Sequence, residues 1–127
     1  MTSLLRQVAT HEAAHAVVAA HYGMRVTEIR VGQRDGATVH TGNGTRLQLA
    51  AVTAAGEVGQ RLAAAETYED LACSDLARFE AEHGLGLLWR AQQDARAILT
   101  SRRRAFMQLI MRLESERHVR FSASASV

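Results

Sequence analysis

The pentapeptide His11-Glu12-Ala13-Ala14-His15 constrains this chain more than any other feature. On an α-helix, residues four apart share a face with Cβ atoms about 5–6 Å apart, so both imidazoles converge on one point. One helical turn then makes a two-point clamp for a metal ion. Glu12 is rotated roughly 100° from His11, which sets its carboxylate beside the open coordination position rather than on the ion, where a general base must stand. The flanking pattern supports the helix: Leu4, Leu5, Val8, His11, His15, Val18 and Ala19 recur at three- and four-residue steps. With Thr2 or Ser3 as a cap and Gly23 as a stop, a helix is predicted over residues 3–22.

The chain has no proline, and its nine glycines fall between residues 23 and 86, so helices are expected to dominate both ends. An apolar share of 47% with only 5% aromatic residues points to helix packing by Ala, Leu and Val. The 127 residues predict one domain, 1–121, followed by a disordered tail, 122–127, in which Ser and Ala alternate. All 15 basic side chains are arginine, yet the net charge is only +2. The densest run, Arg102-Arg103-Arg104, lies in a segment of helical periodicity and reads as a solvated face, so no nucleic-acid partner is expected. Cys73 is the sole cysteine, which excludes an intramolecular disulfide, suits a reducing compartment and reads as a small buried hydrophobe. No segment approaches the ~20 apolar residues of a membrane span, and no signal-peptide pattern opens the chain. A cytoplasmic protein is expected, with an oligomer neither required nor excluded.

After the first helix, Arg25–Val31 alternates apolar and polar residues, and a second β-type run covers 36–41 around Val39. Gly32-Gln33-Arg34-Asp35-Gly36 supplies the turn between them, and Gly42-Asn43-Gly44 closes the unit. An Ala/Leu-rich helix is expected over 46–65, an acidic loop over Glu66–Asp70, and a further helix over 72–82 ended by Gly84 and Gly86. From Leu87 to His118, an apolar stripe interrupted at Thr100-Ser101 predicts two helices meeting at a bend.

Two histidines leave a catalytic zinc one protein ligand short. Glu57, Glu66, Glu69, Asp70, Asp75, His21, His40 and His83 are the candidates, and spacing alone does not choose among them. Asp75 fits the first turn of a helix that crosses the HEAAH helix. His21 and His40 are also candidates to stabilise an oxyanion, and Glu57 or a backbone carbonyl to accept the second ring N–H of a ligand histidine.

His11–Val18, HEAAHAVV, resembles the HEAGHAVV of the peptidase domain of FtsH-type zinc metalloproteases. Ala55-Gly56 with Leu62 is similar to that family's AGRxAEEL helix, Ser74-Asp75-Leu76 to its SNDL segment, and Ala95–Leu99 with Arg103 to its A-xx-IL-xxx-R helix. The resemblance implies a mainly α, helical zincin-like metallopeptidase domain with a small two- or three-stranded β element between the first two helices. It implies Zn2+ held by His11, His15 and Asp75, Glu12 as general base, and peptide or unfolded protein as substrate. It also implies that the strand at Ala37-Thr38-Val39 accepts an extended peptide by edge pairing. Gln60-Arg61 stands where the family carries consecutive carboxylates, and 60 residues separate His15 from Asp75, a shorter span than the family suggests. No ATPase module accompanies these residues, so a stand-alone zinc peptidase is expected, the alternative being a non-catalytic module that binds a partner's peptide segment.

Overall fold

The computed structural model describes residues 3–63, 69–122 and 127, with the side chains of 69–74 left undescribed. Helix α1 spans Leu4–His21 and β1 Arg25–Val31, followed by β2 at Gly36–Thr41 and α2 at Arg46–Ala63. Helix α3 covers Glu69–His83, α4 Leu88–Ser101 and α5 Arg103–Glu116, and β3 is the short segment His118–Arg120. The fold is thus mainly helical with one small antiparallel sheet, as the sequence predicts.

Local chemistry sets the ends of the elements. The Ser3 side chain accepts from Arg6 N at 3.1 Å and caps α1. At the other end Gly23 adopts φ 81°, letting its N–H reach Ala20 O and the Met24 N–H reach Ala19 O, each at 3.0 Å. This Schellman arrangement turns the chain directly into β1. Before α2, Thr45 Oγ1 accepts from Gln48 N and Gln48 Oε1 accepts from Thr45 N, a reciprocal capping box.

The sheet order is β2-β1-β3, with both pairings antiparallel. A register shift between Val26 and Glu28 marks a β-bulge in β1. On β2, Gly36, Thr38 and His40 are half-buried while Ala37, Val39 and Thr41 are exposed, the alternation of a strand with one covered face. The third strand comes from the far end of the chain. The sequence predicts that the last helix runs to His118, whereas α5 stops at Glu116 and Arg117, at φ 60°, turns the backbone so that its carbonyl accepts from Val31 N at 2.7 Å. Three residues are too few to display a strand period.

Helix α1 lies at the centre, and every residue from Val8 to Ala19 is buried. Its amphipathic stripe was an understatement: neighbours cover it all round, with α2, α5, β1 and β2 packed against it. Phe106, Leu109, Ile110 and Leu113 of α5 and Ala95, Ile98 and Leu99 of α4 complete the same core. The expected bend falls at Arg102, between α4 and α5, and Arg102, Arg103 and Arg104 are exposed.

One further boundary differs from expectation. Glu69 and Asp70, expected in a loop, open α3, which places Asp75 in the second helical turn rather than the first. Residues 64–68 and 123–126, which hold most of the expected acidic loop and tail, lie outside the described residues, as does the Cys73 side chain.

Candidate metal centre

Helix α1 presents His11 and His15 toward α2 and α3, with ring centroids 4.8 Å apart and Nε2 atoms 3.2 Å apart. Each ring is fixed from behind. His11 Nδ1 donates to Gln60 Oε1 at 2.6 Å, and His15 Nδ1 donates to the Val52 carbonyl at 2.7 Å. With hydrogens on both Nδ1 atoms, the Nε2 lone pairs face one another across a short gap. Asp75, carried by α3, brings Oδ2 to 2.9 Å from His11 Nε2 and 3.1 Å from His15 Nε2.

Three electron-rich atoms gathered in a buried spot repel one another unless a cation or proton sits among them. Asp75 Oδ2 is buried and finds no hydrogen-bond donor among the described residues, which leaves the position open to an ion. Ligand atoms around a tetrahedral zinc with 2.0–2.2 Å bonds stand roughly 3.4 Å apart, close to the 2.9–3.2 Å separations here. An N2O set of two imidazoles and a carboxylate, leaving one position free, suits a catalytic zinc. The residues therefore fit the metal. Among the described residues, His11, His15 and Asp75 are the group able to hold an ion.

The electrostatics agree with that grouping. Burial alone would raise the Asp75 carboxyl, but the adjoining His11 and His15 rings pull it below the usual carboxylate range. Burial works to lower His15, yet Asp75, Glu12 and the Val52 carbonyl leave it above its ordinary value.

Glu12 is 4% exposed and lies beside the trio. Thr38 of β2 directs its hydroxyl at Glu12, with Oγ1 2.9 Å from Oε1 and 3.0 Å from the backbone O. A Cβ on Gly36 would come within 2.8 Å of Glu12 Cγ and 3.0 Å of Oε2, so β2 passes this close only because residue 36 lacks a side chain. A cleft of about 270 Å³ opens over His11, Glu12, His15 and Asp75, walled by Gly36–Thr38 and rimmed by Asp35, His40 and Arg78. His40 is held below its ordinary pKa by burial, by His15 and by Arg78, and its Nδ1 is buried without a partner among the described residues.

Of the other candidate ligands, Glu57, His21 and His83 lie away from the cleft. Glu57 pairs with Arg61 on the surface of α2 at 2.5 Å, so the carboxylate considered as a support for a ligand histidine is replaced by Gln60. His21 accepts from Arg102 Nε at 2.8 Å and His83 contacts Thr53 at 3.0 Å. Glu66 and the side chains of Glu69 and Asp70 lie outside the described residues. Sequence reasoning missed the roles of Gln60, Gly36 and Thr38, and of Gly56, where a Cβ would meet the His11 ring. Gln60, with Arg61 beside it and Glu57 three positions before it, carries no local signal that sets it apart.

No curated protein matches the chain. A family model does match residues 3–67, the stretch that carries the HEAAH helix, the β-hairpin and α2 with Gln60, and its description is peptidase M50B-like. Asp75 lies beyond the matched span. On that match, covering just over half of its length, the chain belongs to the peptidase M50B-like family.

Proposed function

We propose that this protein is a zinc-dependent metallopeptidase that hydrolyses peptide bonds, with His11, His15 and Asp75 as ligands and Glu12 as general base. The observation that carries the reading is the meeting of both Nε2 atoms with Asp75 Oδ2, which has no donor among the described residues, inside a cleft that Glu12 also lines. A zinc ion bound there would acidify water and polarise a carbonyl. Glu12 takes the water's proton on the carboxylate and returns it to the leaving amine, acid–base work by one side chain. Thr38 holds that carboxylate in place through Oε1. An extended peptide or unfolded segment lies along β2, an edge strand bordering the cleft, and pairs through its backbone. The Ser74-Asp75-Leu76 segment, with its aspartate at the histidines, supports an FtsH-type layout within the broader family.

The test is cleavage of an intrinsically unstructured protein by zinc-loaded wild type and Glu12→Gln. Wild type should cleave, while the variant should retain zinc and lose activity by at least about 100-fold, the scale of general acid–base catalysis. Zinc-loaded wild type that leaves such substrates intact would overturn the peptidase reading.

A further inference from the structure

We propose that Gln60 is a positioning residue for the metal centre: its amide oxygen fixes the tautomer and orientation of His11 so that Nε2 is left bare toward the ion. The inference rests on the zinc-site reading above. Gln60 is fully buried, and its Oε1 stands 2.6 Å from His11 Nδ1 while its Nε2 has no hydrogen-bond partner among the described residues. A buried amide with one end unsatisfied is an unfavourable choice for packing alone, and Leu or Met would fill the same space without that defect. What the amide supplies and an apolar side chain cannot is an acceptor for the ring N–H.

The amide must also face one way. Turned over, its NH2 would point at His11 Nδ1 and drive the ring hydrogen onto Nε2. That hydrogen would lie between His15 Nε2, at 3.2 Å, and Asp75 Oδ2, at 2.9 Å, where the ion belongs. Orientation of one buried amide and competence to bind metal are therefore linked. Gln60 also does this work without charge. A carboxylate at 60 would accept the same hydrogen while adding an anion behind the ligand, which strengthens the imidazole as a donor.

The experiment compares zinc affinity by chelator competition, apo-protein melting, and 15N NMR of the His11 ring in wild type, Gln60→Met and Gln60→Glu. Gln60→Met should weaken zinc binding by about 10–100-fold. Its apo melting temperature should equal or exceed that of wild type, and its His11 ring should lose the single Nδ1–H tautomer. Gln60→Glu should restore both tautomer and affinity. Equal zinc affinity and an equal tautomer in Gln60→Met would overturn the proposal. So would a parallel fall in affinity and melting temperature that Gln60→Glu does not rescue, since that marks a packing role. Wild type that binds no zinc would instead sink the metal-site reading, taking this inference with it.

Discussion

Gly56→Ala is a one-methyl test of whether α2 shapes the metal centre. The added Cβ would lie 2.5 Å from His11 Nε2 and 2.7 Å from Nδ1, whereas ordinary contact begins at 3.4 Å. The ring is not free to give way, because Gln60 holds Nδ1 and Asp75 and His15 surround Nε2. Overpacking of this kind costs about 1–3 kcal/mol, and replacing Gly by Ala inside a helix returns about 1 kcal/mol. The net expectation is a loss of up to about 2 kcal/mol, or several degrees in melting temperature for a domain of this size. Affinity should suffer more than stability. A ligand atom displaced by most of an ångström exceeds the roughly 0.2 Å tolerance of a metal bond, so zinc binding should fall by at least about tenfold. Gly59→Ala is the control: its Cβ would meet Ala14 and, at 3.1 Å, Phe106, neither of which is a ligand. Calorimetry and chelator competition on both variants decide the matter. Gly56→Ala with unchanged zinc affinity, or with a loss no larger than that of Gly59→Ala, would refute the idea that residue 56 seats the His11 ring.

Two further outcomes are expected. Asp75→Asn retains an oxygen but removes the charge, and zinc affinity should drop by more than about 100-fold, beyond the range for a supporting contact; unchanged metal content would remove Asp75 from the ligand set. In metal-free protein, the depressed Asp75 carboxyl contributes stability that is present above its ordinary value of 3.8 and lost as pH falls through the lower folded value. The raised His15 contributes stability that is present below 6.5 and lost as pH rises through the higher folded value. Stability of the apo protein from this pair should thus be fullest between these limits, and a pH series of chemical denaturation that rises steadily through neutrality would contradict it.

The parts legible in the sequence were those written in local chemistry. HEAAH carries its geometry in five residues, the 25–41 hairpin is bounded by glycines, and the apolar stripe of α4 and α5 breaks where the helices part. Asp75 was reached through the Ser-Asp-Leu resemblance, since its approach to His11 and His15 depends on how α3 crosses α1. What stayed hidden depends on neighbours distant in the chain. His118–Arg120 becomes a strand only because β1 offers it a partner, and Gln60 acquires its role from an imidazole 49 positions away. Gly56 and Gly36 read as helix and turn residues in isolation. Their significance is the space they leave for His11 and Glu12.

The enclosure of α1 has a consequence for how the protein ages and fails. A helix hidden from solvent along twelve consecutive residues, Val8 to Ala19, exposes its backbone amides only when most of the molecule opens. Its amides should be among the slowest to exchange with deuterium, and heat that opens α1 should dismantle the setting of the two imidazoles and the fold together.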